Sequence, residues 1–211
     1  MAKRAYHHGN LRAALVHAGL RAIATDGPEG FSLRDVARRA GVSPPAVYRH
    51  FADKDELLTA IAIDCFERLH AGLEKAVAAA DPDPLAQFRA TGVAYLRFAV
   101  AHPAHFRALC IPHVIARAPL AMRQDYERRA AVETAALGAA QDAGLIAPLP
   151  LAEAMLAARA VVHGLAHMII QGDLGEVDDA RAEQLAIAVT GALGVGLFPR
   201  VPGDPLAADQ R

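Results

Sequence analysis

Apolar residues recur along this chain three and four positions apart, while the period-two alternation of a half-buried strand is absent. The pattern predicts an all-α protein. Leu11, Ala14, Leu15, Ala18, Ala22 and Ile23 form one apolar face of a first helix, which stops around Asp26-Gly27-Pro28. Ser32 opens a short helix with Leu33, Val36, Ala37 and Ala40 turned inward, and Gly41 ends it. Ser43 caps a second short helix over 43–50. There Pro44 occupies the first turn without losing an intrahelical bond, and Val47 and Phe51 are the anchors. Asp53 caps a long helix over 53–79 that carries Leu58, Ile61, Cys65 and Leu69 and fades before Asp81-Pro82-Asp83-Pro84.

Beyond that break the periodicity predicts helices over 84–101, 103–111, 118–143, 151–171 and 178–197. The breaks are His102-Pro103, Ile111-Pro112, Gly144, Pro148 to Pro150, and Gly172 to Val177. No internal repeat or low-complexity segment is evident. The expected organisation is a small N-terminal domain over 1–54 that continues into the 53–79 helix, a helical domain over 81–198, and a loose tail over 199–211.

Composition narrows the class. Just over half of the 211 residues are apolar, enough for a buried core. The most apolar stretch, Ala152 to Ile170, carries Glu153, Arg159, His163 and His167, so a membrane span is not expected. The opening residues lack the apolar core of a signal peptide, and two cysteines, Cys65 and Cys110, make no disulfide framework. A reduced cytoplasm is the expected location. The net charge of −1 conceals an asymmetry: residues 1–54 hold nine Lys/Arg against four Asp/Glu, leaving thirteen against nineteen for the rest. A basic quarter joined to an acidic remainder points to a polyanionic partner for the first part only.

Two helices as short as those at Ser32 and Ser43 cannot each bury a core, so they must pack on one another and on their neighbours. Ala37 and Ala40 are small where the two would cross, Gly41 permits a left-handed turn, and Val42 plugs the corner. This is helix-turn-helix geometry, in which the second helix enters the major groove of double-stranded DNA. Ser32 and Ser43 stand at helix N-termini, where hydroxyl and backbone N–H groups can meet phosphate. Arg34, Tyr48, His50 and Lys54 join them as candidate DNA contacts, Tyr48 and Lys54 suiting phosphate. Arg49 is the candidate for a bidentate guanine contact, or else a phosphate clamp. Pro44, Pro45 and Ala46 offer apolar surface for thymine methyl groups. The plain alternative is an ordinary helical corner with solvated arginines, but such corners rarely combine both caps, the glycine turn and the Tyr/Lys pair.

The same segment resembles the TetR family of bacterial transcription regulators. The residues that carry the likeness are Ser32, Val36-Ala37, Ala40-Gly41-Val42-Ser43, Val47-Tyr48, Phe51, Lys54 and Leu57-Leu58, within about residues 7–60. Pro44-Pro45-Ala46 departs from the pattern, since many members place Gly-Thr or Ala-Thr before the apolar-Tyr pair. The opening Tyr6-His7-His8-Gly9-Asn10-Leu11-Arg12 is similar to the start of one subgroup, and Lys3 and Arg4 could serve as a flexible arm reaching DNA. Further on, Tyr95 to Leu109 and Val161 to Ala166 resemble the C-terminal domain of the subgroup named for a Trp-His-Gly signature; His163-Gly164 is present and the tryptophan is not.

The resemblance implies a dimeric regulator, usually a repressor, released from its operator by a small-molecule effector. It implies that helices 151–171 and 178–197 pair with those of a second subunit. The run from Leu185 to Phe198 is apolar almost all round, more than a monomer's surface would carry, although burial within the monomer is the competing account. Arg97, His105, His163, His167 and Met168 are the candidate effector-lining residues. Three histidine groups, His7-His8, His102/His105 and His163/His167, raise the question of metal, but nothing in the sequence fixes their convergence; no metal, cofactor or catalytic residue is expected. Two other classes compete. A helical protein-interaction module would share the basic quarter but not a steep salt dependence. An enzyme would need a phosphate loop, nucleophile elbow or clustered dyad, and none is visible.

Overall fold

The computed structural model describes residues 11–111, 114, 116–146 and 150–195. Among them every regular element is an α-helix: α1 (Leu11–Asp26), α2 (Leu33–Ala40), α3 (Pro44–Tyr48), α4 (Lys54–Ala79), α5 (Pro84–Ala101), α6 (Pro103–Leu109), α7 (Leu120–Asp142), α8 (Leu151–Gln171) and α9 (Asp179–Val195). The expected arm at Lys3 and Arg4, the segment Tyr6 to Asn10 and the tail over 199–211 lie outside the described residues.

Contacts divide the chain into two compact units, one running to Arg68 and including His102–Arg123, the other comprising Leu69–Ala101 and the chain from Gln124. The boundary falls within α4 rather than at the Asp81-Pro82 break, and α6 joins the N-terminal unit instead of the later helices. The reason is packing: Ala108, Ile111 and Val114 belong to the same apolar core as α1 and α2.

In the first unit the core gathers Leu15, Ala18 and Ile23 from α1, Val36 and Ala37 from α2, Val47 and Phe51 around α3, and Leu57, Leu58 and Ile61 from α4. Full burial of each large side chain contributes about 1.5–3 kcal/mol. Gly19 lets α1 and α4 approach closely, because a Cβ there would lie 2.8 Å from Ile61 Cδ1. Gly41 closes α2 in the left-handed conformation, φ 70° and ψ 30°. Its N–H donates to the Arg38 carbonyl at 3.2 Å, and the Val42 N–H to the Ala37 carbonyl at 3.0 Å, so the helix end keeps its acceptors satisfied.

In the second unit α5 packs along both α8 and α9, with Gly92 facing Val162 and Thr190. Its buried residues include Leu96 and Phe98 of α5, Leu137 of α7, Met155, Val162, Leu165 and Ile169 of α8, and Ala182 and Ala186 of α9. His70 of α4 is also buried here, at 8% exposure. Burial, and then the positive charge of Arg129, push its pKa down to about 4, with Asp125 and Glu74 opposing the shift. Arg129 bridges the two helices, its Nε donating to Asp125 Oδ2 at 2.7 Å and its Nη1 to Glu74. Leu156 and Ile187, 69% and 58% exposed, leave apolar surface on the outer sides of α8 and α9.

Two glycines separate backbone from packing, since a Cβ at Gly41 or Gly72 would meet nothing within 4 Å. Gly41→Ala should lower the free energy of unfolding by about 1–2 kcal/mol through its left-handed φ alone. Gly72→Ala, inside α4, should raise it by about 0.5–1 kcal/mol. Denaturant midpoints check both signs, and equal shifts would refute the backbone origin. His70 gives a pH dependence. The folded form binds its proton less readily than the unfolded chain, so stability is complete above the ordinary value of 6.5 and declines as pH falls toward 4. The slope contribution reaches at most about 1.4 kcal/mol per pH unit, positive with rising pH. His70→Gln should flatten that window in urea titrations from pH 7 to 4; an unchanged slope would contradict the assignment.

Candidate nucleic-acid interface

The interface is assembled on α2, α3 and the start of α4. Ser32 and Asp35 form a reciprocal capping box: the Asp35 N–H donates to Ser32 Oγ at 3.3 Å, and the Ser32 N–H donates to Asp35 Oδ2 at 3.0 Å. The Ser32 hydroxyl also donates to Asp35 Oδ2 at 2.6 Å. These bonds, with a smaller contribution from Arg38, hold the Asp35 carboxyl below the usual range. Ser32, expected to present its hydroxyl to phosphate, is exposed but already spends that proton on Asp35. Arg34 stands beside it on the outer face of α2, exposed.

At Ser43 the cap differs. The residue occupies the N-cap position, yet its side chain makes no cap hydrogen bond. Pro44 and Pro45 carry no N–H, and the Ala46 N–H goes to the Ser43 carbonyl at 2.9 Å, so the N-terminus has no donor left for the hydroxyl. The helix is also shorter than the expected 43–50, ending at Tyr48 with Arg49 as its C-cap.

Pro44, Pro45, Tyr48 and Arg49 are exposed, Tyr48 at 51%, and His50 is half-buried. Ala46 is corrected: expected on the DNA-facing surface, it is buried at 7%, next to fully buried Val47. With one turn of helix available, Ala46 and Val47 both face the core, and the outer side belongs to the prolines, Tyr48 and Arg49. Lys54 is half-buried and held by the loop before α2. Its Nζ donates to the Glu29 carbonyl at 3.0 Å and lies 4.7 Å from the Phe31 ring centroid.

Sequence reasoning passed over two residues here. Asp35 completes the box, and its signal was the Ser-x-x-Asp spacing before an apolar run. Arg12, exposed on α1, stacks 5.0 Å from the Phe51 ring, a contact across 39 positions that no local pattern could announce.

The five candidate effector residues fall in both units. His105 belongs to the first unit, with Nε2 3.6 Å from Asp64 Oδ2 and its ring edge-on to His102. Burial, then His102, lowers its proton affinity, while Asp64 opposes. Arg97 is exposed and joins α5 to α9, with Nε donating to Asp179 Oδ1 at 2.8 Å and Nη1 3.9 Å from Glu183. Met168 is 43% exposed. His163 and His167 do meet, ring to ring on α8, and the Tyr95 hydroxyl lies 2.7 Å from His163 Nδ1.

Comparison with known proteins decides the family. Residues 15–61 match the model of bacterial regulatory proteins of the tetR family, and residues 88–192 match a tetracyclin repressor-like C-terminal domain. The chain belongs to the TetR family. Membership is at the level of the family rather than of the Trp-His-Gly subgroup. An HTH-type transcriptional regulator of Mycobacterium tuberculosis is 35% identical over 74 residues, 35% of this TetR-family chain and 32% of the regulator's own length. The HTH-type regulator BetI of Burkholderia mallei is 40% identical over 79 residues, covering 37% and 40% of the two chains. The matched segment thus spans well under half of these curated relatives. A solved Rhodococcus sp. RHA1 protein of unknown function is 33% identical, with a TM-score of 0.68 over 91% of this chain and 100% of its own. The fatty acid degradation regulator FadR of Bacillus halodurans, 15% identical with a TM-score of 0.72 over 92% and 100%, shares the fold.

The anchoring of Lys54 has a measurable consequence. Lys54→Met removes the bond to Glu29 and the charge over Phe31, and should cost about 1–2 kcal/mol of stability in the absence of DNA. A denaturant midpoint unchanged from the parent would mean that Lys54 is a free surface cation rather than a strut.

Proposed function

We propose that this TetR-family chain is a homodimeric repressor that presents α3 to the major groove of operator DNA and is released by a small-molecule effector. The observation that carries the reading is the exposed set Pro44, Pro45, Tyr48 and Arg49, held on a helix that Val47 and Phe51 pin to a rigid core. The positive surplus of residues 1–54 supplies non-specific attraction to phosphate. Specificity falls to Arg49, Tyr48 and the pyrrolidine rings.

A helix-turn-helix gains useful selectivity by reading two half-sites, which a two-fold dimer provides. Leu156, Ala160 and Gly164 repeat every four residues on the exposed side of α8, and Ile187, Ala188 and Ala192 are exposed on α9. Small residues among larger apolar ones allow two such helix pairs to approach closely. By length and composition α8 could also cross a membrane, but Glu153, Arg159, His163 and His167 lie along it, and we read it as a bundle helix of a cytoplasmic protein. The effector must bind the DNA-incompetent state more tightly, since equal affinity for both states would shift nothing.

Selection of bound duplexes from random DNA by the purified protein tests the reading. A two-fold related consensus is expected, with affinity falling steeply as salt rises. Arg49→Ala should cost about 1–3 kcal/mol of operator affinity and relax the preference at one base pair of each half-site. Selection of no consensus, or an Arg49→Ala protein with unaltered affinity and preference, would remove the basis of the proposal.

A further inference from the structure

His163 and His167 stand one turn apart on the same side of α8. Their rings meet edge to face with centroids 4.8 Å apart, and a ring nitrogen of each lies within 4.8 Å of the other. From α5, the Tyr95 hydroxyl lies 2.7 Å from His163 Nδ1. That contact engages Nδ1; when Nδ1 carries the ring proton and donates it to the phenol oxygen, Nε2 holds the lone pair. An outer partner on the second nitrogen is the usual companion of a metal-ligating histidine. Partial burial of the ring, then His167 and Arg159, lower the proton affinity of His163. Arg159, whose charge opposes a metal here, is drawn over the Tyr126 ring at 5.0 Å.

We propose that His163 and His167 form a binding site for a borderline divalent transition-metal ion, Zn²⁺ being the probe of choice, with Tyr95 as a positioning residue. Two imidazole nitrogens select zinc, nickel or copper over magnesium and calcium, which require oxygen donors. At Zn–N distances of about 2.0–2.1 Å the two nitrogens must draw in to roughly 3.3 Å, a movement that ring rotation supplies. Water, or a donor atom carried by a bound small molecule, completes the coordination. The site is independent of operator binding, and it departs from the expectation of no metal because the structure brings the two rings together and sets Tyr95 of α5 against one of them.

Calorimetric titration of Zn²⁺ into the full chain, in non-chelating buffer without DNA, tests the site. A background carrying His7→Ala, His8→Ala and His102→Ala breaks up the other two histidine groups. One ion per subunit is expected in that background, with binding abolished by His163→Ala and by His167→Ala. Tyr95→Phe should weaken it about tenfold. Far-UV circular dichroism verifies that each variant is folded, and Co²⁺ absorption of the unsubstituted chain should report nitrogen ligation. Zinc binding that survives either histidine substitution in that background, or no binding in the background itself, overturns the proposal. Either result leaves operator binding untouched, because no DNA enters the measurement.

Discussion

A helix of five residues cannot sustain itself, because its few hydrogen bonds do not repay the ordering of the backbone, and α3 therefore exists only where the surrounding core holds it. Val47 and Phe51 are fully buried, and they fix both the depth and the rotation of α3 against α1, α2 and α4. Gly41 sets the angle at which the chain leaves α2 to reach it. Every functional statement about Tyr48 and Arg49 rests on this anchoring. Were Val47 and Phe51 not bound into the core, the exposed side chains would sample many directions and could not match a fixed groove.

The electrostatics of the first unit follow from the same arrangement. Asp35 is turned inward onto Ser32 and Arg38, Asp26 onto Arg39, and Asp53 and Asp55 onto Arg117. Among the described residues neither Arg34 nor Arg49 has an acidic partner. Exposed ion pairs of this kind add little stability. Their effect here is to pair off the acids and leave Arg34 and Arg49 as charges turned toward solvent.

Much of this was legible in the sequence wherever a local cause acts. Ser32 and Gly41 bound α2, Pro84 and Pro103 open α5 and α6, and α8 spans Leu151–Gln171 as its periodicity indicated. Ala46 was not legible, since a single turn offers no period from which to tell an inward face from an outward one. Nor was the allegiance of α6: the His102-Pro103 break marks where the chain turns, not which core receives it. The histidine pair on α8 was visible from its spacing, whereas its partner Tyr95 stands 68 residues away. Arg97 is a like case. The family resemblance offered it as an effector contact, but its ion-pair partner Asp179 stands 82 positions on, beyond any local pattern.

The two units are built to different standards of packing. Among the described residues, the largest fully buried side chains include Phe51, Phe106, Leu15, Ile23, Leu57 and Ile61, all of the first unit, while Leu96 alone comes from the second. The second unit buries Phe98, Leu137, Met155, Leu165 and Ile169 less completely, at 5–9% exposure, beside His70 with its proton affinity depressed and half-buried Glu133 with its own raised by burial. Side chains left partly accessible gain less on burial, and desolvated ionisable groups subtract from that gain. Such a unit has a lower cost of local opening than its neighbour. That asymmetry suits the proposed roles: the part that reads a fixed duplex needs rigid side chains, and the part that answers a ligand needs alternative packings separated by only a few kcal/mol.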